Sequence, residues 1–72
     1  EWAMNEYSAF PNPAKDLVTV NGATSNTLLE IRTVEGKLVE NTRGNQVNIS
    51  NLFSGVYILT IDRKHSQKLI VE

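Results

Sequence analysis

Nucleophilic catalysis needs a serine, threonine or cysteine beside a base. This sequence has no cysteine and a single histidine, His65, set in the run Arg63-Lys64-His65-Ser66. Such a run reads as a solvated turn. On extended backbone, neighbouring side chains point to opposite faces, so His65 and Ser66 would face apart. Paired carboxylates would suit glycoside hydrolysis. The acids Glu1, Glu6, Asp16, Glu30, Glu35, Glu40, Asp62 and Glu72 instead fall singly on turns and on polar alternate positions. A solvated surface place is the expectation for each. One histidine without cysteine leaves zinc no ligand set, and no cluster of oxygen ligands forms a calcium loop. The four glycines do not follow the strand, Gly-rich loop, helix order of a phosphate site. The residues therefore read as no enzyme, no cofactor, no metal and no small-molecule substrate.

Binding surfaces are equally sparse. The aromatics are Trp2, Tyr7, Phe10, Phe53 and Tyr57. Tyr7 and Phe10 are three apart and cannot share one face of a regular strand. Core packing is expected for Tyr57 and edge packing for the others. Asn48-Ile49-Ser50 has the form of a glycosylation acceptor but lies in an expected strand. A net charge of −1 gives no electrostatic grip on nucleic acid or anionic lipid. The longest nearly apolar runs, residues 56–61 and 69–71, fall far short of the roughly 20 residues of a membrane-spanning helix. Glu1-Trp2-Ala3-Met4 lacks the regions of a signal peptide. The sequence begins at Glu1 and reads as a piece of a longer protein, with any signal peptide upstream.

The elements that would position these residues are strands. Pro11-Asn12-Pro13, Asn21-Gly22, Ser25-Asn26, Glu35-Gly36, Arg43-Gly44-Asn45, Ser50-Asn51 and Ser54-Gly55 punctuate the chain at the spacing of an all-β domain. Residues 24–34, the one helical candidate, are rich in threonine and hold Ile31 and Val34, which favour strand. Strands are predicted at residues 6–10, 17–20, 27–34, 37–41, 46–49, 56–62 and 67–71. Glu35-Gly36 reads as a hairpin turn. The stretch 56–62, apolar on both faces, reads as a central strand. Seven short strands without helices cannot make parallel crossovers. The prediction is an Ig-like antiparallel β-sandwich. Its expected core is Leu17, Val20, Leu29, Ile31, Val39, Val47, Ile49, Leu52, Tyr57, Leu59, Ile61, Leu69 and Val71.

Three islands stand out: Tyr7-Ser8-Ala9-Phe10-Pro11-Asn12-Pro13-Ala14-Lys15-Asp16-Leu17, then Val47-Asn48-Ile49-Ser50-Asn51-Leu52-Phe53-Ser54-Gly55-Val56-Tyr57-Ile58-Leu59, then Gln67-Lys68-Leu69-Ile70-Val71-Glu72. Leu29-Glu30-Ile31 leads to Glu35-Gly36-Lys37-Leu38-Val39 between the first two. In this order they resemble the type A C-terminal sorting domain of the type IX secretion system, over almost the whole chain. Asn48 stands where that family usually has aspartate, and Arg32-Thr33 where it often has Tyr-Asp.

The resemblance implies a secretion signal that directs a larger cargo across the outer membrane. The cargo would pass through the periplasm to the cell surface or beyond, and the domain would then be removed, or the cargo attached, by a sortase-like surface protease. Residues 1–6 would be the end of a linker from the parent protein, and residues 7–72 the sorting domain. The translocon would recognise Lys68, Leu69, Ile70, Val71 and Glu72, by adding a strand at an exposed sheet edge or by gripping the free end. Pro11, Asn12, Pro13, Gly36, Leu52, Gly55 and Tyr57 would be motif residues with largely structural roles. Pro11 and Pro13 would stiffen a bend, the Ser50-Asn51-Leu52 turn would plug Leu52 into the core, and Tyr57 would bury its ring and bond its hydroxyl. Exposed edges also make an edge-to-edge dimer an expected association. The rival readings are a fibronectin-like or carbohydrate-binding module and a passive spacer of a surface enzyme or adhesin.

Overall fold

A computed structural model describes residues 7–72 and is all β. The linker expected at residues 1–6, and the first residue of the strand expected at 6–10, lie outside the described residues. The strands are β1 (Ser8–Phe10), β2 (Leu17–Asn21), β3 (Leu28–Thr33), β4 (Leu38–Arg43), β5 (Gln46–Asn48), β6 (Gly55–Ile61) and β7 (His65–Val71). One sheet has the order β1-β2-β5 and the other β4-β3-β6-β7. Every named strand pair is antiparallel. The two sheets enclose one core, as expected of a small Ig-like sandwich.

The core follows the two-residue alternation of strands. Val18, Val20, Val47 and Ile49 enter it from the first sheet and Leu29, Ile31, Tyr57, Leu59, Ile61, Leu69 and Val71 from the second. Alternation also corrects the predicted core. Leu17 and Val20 have opposite parity and cannot share a face. Val18 and Val20 share the interior face of β2, and Leu17 is 42% exposed. Val39 and Leu52 only pack against the core from its margin, whereas Ala14 lies fully inside it.

The hairpin at Glu35-Gly36 is present. Thr33 accepts from the Gly36 N–H, and its hydroxyl accepts from the Lys37 N–H at 3.1 Å. Gly36 sits at φ 102° in open space, so its conformation and not its size excludes a side chain. Just beyond, Ile31 pairs with Glu40 but Arg32 pairs with Leu38, which leaves Val39 as a bulge in β4. Bulges on edge strands disfavour pairing with other chains.

The second sheet corrects two expectations. His65 is exposed as expected but is not a turn residue: it opens β7 opposite Ile61 and meets the Tyr7 ring edge-on, with centroids 5.1 Å apart. Glu30 was expected on a wet face, yet it is only 4% exposed. Arg32 and Arg63 close over its carboxylate.

The β6–β7 turn is fixed by Asp62 and Arg63, at φ 53° and 56°. Asp62 donates its N–H to the Leu28 carbonyl at 2.8 Å. Its Oδ1 accepts from the Leu28 N–H at 2.9 Å. One aspartate thus closes the start of β3 in both directions, in a backbone region that aspartate tolerates better than most residues. Asp62→Ala is expected to cost about 2 kcal/mol, from an unpaired N–H and a poorer fit to positive φ. Asn should restore most of this. Gly should fall between, because it relieves φ but leaves Leu28 unpaired. Urea midpoints of the three variants check the ranking.

Candidate functional site

The residues expected to be read by a partner belong to β7, and β7 is an edge strand. Its outer edge is nevertheless occupied. Asn12 places its carboxamide along it: Nδ2 donates to the Lys68 carbonyl at 3.2 Å, and Oδ1 accepts from the Ile70 N–H at 3.0 Å. Ala14 continues with its backbone. Its N–H donates to the Ile70 carbonyl at 2.8 Å, and its carbonyl accepts from the Glu72 N–H at 2.8 Å. Ala14 forms a parallel bridge with Val71. Residues 12 and 14 therefore imitate a strand running parallel to β7, with a side-chain amide standing in for one peptide group. Pro13 between them has no N–H to offer.

This gives the first island a local cause. The proline-flanked bend does stiffen the chain, as expected, but it also has a partner 56 and 58 residues away. Ala14 anchors it by filling the space beside Val71 in the core. The free edge anticipated at the end of the chain is thus closed across Lys68, Ile70 and Glu72.

The side chains of the tail divide by alternation. Leu69 and Val71 point into the core, Lys68 and Glu72 are exposed, and Ile70 is half-buried. Of the five residues expected to be recognised, Leu69 and Val71 are unreachable while the sandwich is intact. The outward set lies beside β6, where Val56 pairs with Ile70 and Ile58 with Lys68. Val34, Leu38, Phe53 and Val56 are exposed near the same end of the second sheet. Its accessible chemistry is the Lys68 and Lys37 ammoniums, the Glu72 and Glu35 carboxylates and a rim of aliphatic and aromatic side chains.

The remaining motif residues shape this end from within. Gly55 pairs with Val71 at φ 156°. A Cβ there would meet the Tyr57 ring at an ordinary 3.9 Å, so the backbone conformation is what requires glycine. Tyr57 buries its ring and donates its hydroxyl to the Phe53 carbonyl at 2.7 Å. That bond ties the β5–β6 loop to the sheet. The turn expected at Ser50 and Asn51 is present, closed by the Leu52 N–H on the Ile49 carbonyl at 3.0 Å, and the side chain that braces it is that of Asn48. Its Oδ1 accepts from the Ser50 N–H at 2.8 Å and from the Ser50 hydroxyl at 2.7 Å. A carboxylate or an amide oxygen can do this equally well, which accounts for asparagine in an aspartate position. Phe53 was expected to pack at an edge and is 88% exposed.

Among the described residues no hydroxyl is hydrogen-bonded to a histidine or a carboxylate. A shallow depression of ≈ 200 Å³ along β4 is lined by Leu38, Val39, Glu40 and Asn41. Glu40 is the only ionisable group among them, and no hydroxyl lines the depression beside it. The geometry offers a backbone ladder and a small mixed surface, which suit recognition by another polypeptide. A family model described as "Secretion system C-terminal sorting domain" matches residues 8–72. Comparison with curated proteins and with solved structures finds no match.

Proposed function

Since the chain belongs to the secretion system C-terminal sorting domain family, we propose that it is read by the type IX apparatus through the surface around β7 and is removed after export. The coarser function is that of the family: a C-terminal signal of the type IX secretion system, which is not an enzyme and which sends a cargo protein to the cell surface or the extracellular space. In the finer reading, the cargo is the larger protein to which this chain is covalently joined. It crosses the inner membrane by its own leader and waits in the periplasm. The translocon then engages Lys68, Ile70 and Glu72, with Leu69 and Val71 holding them in place from inside. A sortase-like surface protease cuts ahead of the domain, near residues 1–6.

The observation that supports this reading is the meeting of the first and third islands. Asn12 and Ala14 bind the backbone of Lys68, Ile70 and Glu72. Two motifs at opposite ends of the sequence thus form one structural unit around the tail. A core alone would not ask for an asparagine on an exposed strand edge.

Fusion of residues 1–72 to the C-terminus of a periplasmic reporter tests the proposal in cells with a type IX system. Export of the fusion, with the reporter alone retained, is the expected result. Retention of the folded fusion would favour a spacer or binding module instead.

A further inference from the structure

The outer edge of β7 is filled by a substitute strand. Asn12 and Ala14 satisfy Lys68 O, Ile70 N, Ile70 O and Glu72 N in the pattern of a parallel ladder. The substitute is meagre. Half of its bonds come from one exposed carboxamide, and the flanking Pro11 and Pro13 have no N–H with which to extend the ladder. Further along, Ser66 pairs with Thr60 of β6 on one side, and no bond to its backbone from outside the strands is present among the described residues. A continuous extended segment would offer peptide groups at every second position and run on past residue 68.

We propose that this edge is the docking edge for one extended strand of the secretion apparatus, which runs parallel to β7 and displaces residues 11–14. The inference rests on the sorting reading above and adds to it the mode of recognition and a built-in guard. While Asn12 and Ala14 are engaged, the tail is closed to stray strands in the periplasm. When the partner arrives, the ladder changes hands, and the buried side chains Leu69 and Val71 keep β7 in register for it. The partner's chemistry is that of an exposed strand edge, recognised chiefly by main-chain bonds.

A reversible lock tests this. Ala14 and Val71 are bridge partners. Paired strands lie about 4.8 Å apart, within the Cα separation that a disulfide accepts. The chain has no other cysteine. Ala14→Cys with Val71→Cys in the reporter fusion should therefore close a single disulfide over the edge. Export should fall at least about tenfold in the oxidised double variant and return, on adding dithiothreitol, to the level of the same double variant kept reduced throughout. Equal export of the oxidised and reduced double variant would overturn the proposal.

If the disulfide does not form, Asn12→Ala takes its place. In the 72-residue chain it should speed amide exchange at Ile70 about tenfold and leave Leu69 and Val71 protected by β6, while the fusion is exported at least as fast as before. A folded Asn12→Ala fusion that is retained would make the clasp a requirement for recognition and sink the displacement idea. Failure of the unsubstituted fusion to leave the cell counts against the sorting reading itself, so the two failures are separable.

Discussion

Leu69→Ala is expected to leave a large fraction of this chain unfolded at physiological temperature. Leu69 lies opposite Tyr57 and is fully buried between the sheets. Removing such a leucine costs about 2–5 kcal/mol, because the lost transfer energy is joined by the cavity left behind. Against this stands a total stability of about 4–11 kcal/mol for a chain of this length. The lower end applies, since a domain this small buries only about 60% of its unfolded surface. No disulfide compensates. Urea unfolding should show a lower midpoint with an unchanged slope. A loss below about 1 kcal/mol would mean that the sandwich collapses around the vacancy and that β7 is held mainly by its ladder.

The same reasoning governs how tail variants are read. Lys68→Ala removes an exposed side chain and should change stability by less than about 0.5 kcal/mol. Deleting residues 68–72 removes Lys68 together with Leu69 and Val71, and so takes part of the core with the signal. An export defect from the deletion does not separate contact from folding. One from Lys68→Ala with an unchanged urea midpoint would.

The strands were legible because their spacing is written in Gly, Pro, Asn and Ser, whose turn chemistry is local. The central place of β6 was legible from its two apolar faces. Misreadings arose where a distant partner decides. Asn12 looks like a bend residue until its carboxamide is seen on a backbone more than 50 positions away. Ala14 carries too little apolar surface to announce itself as core. Leu17 has the stronger hydrophobic signal, but Val18 shares parity with Val20 and takes the interior. Val39 reads as an inward residue of a regular strand, and the bulge moves it to the margin. His65 resembles its charged neighbours in the turn, yet the positive-φ pair Asp62 and Arg63 turns the chain early enough for β7 to begin at His65. Such facts live in register, which no single stretch encodes.

Glu30 is the clearest departure and yields a prediction of unusual sign. Its carboxylate is buried on the face of the second sheet turned away from the core. Oε1 has ionic contacts with Arg32 at 3.4 Å and Arg63 at 3.6 Å but no hydrogen bond. Oε2 meets Arg32 at 3.5 Å. These are long for charge-assisted bonds, which cluster near 2.7–2.9 Å. Desolvation of the carboxylate is therefore poorly offset. The arginines differ from it in exposure: the side chain of Arg32 is partly exposed, and that of Arg63 is 75% exposed. Either arginine can solvate itself if Glu30 is removed, whereas Glu30 cannot if they are. Glu30→Leu should accordingly be neutral or stabilising by about 1–2 kcal/mol. Arg32→Ala should cost about 2 kcal/mol by leaving the carboxylate with one long contact. Arg63→Ala should cost less than about 1 kcal/mol, since its contact is screened by water. Urea midpoints in the order Glu30→Leu, unsubstituted chain, Arg63→Ala, Arg32→Ala would establish that Glu30 is retained at the expense of stability. A loss of 2 kcal/mol or more in Glu30→Leu would show the reverse, with the carboxylate and its two arginines acting as a net brace across β3 and the β6–β7 turn.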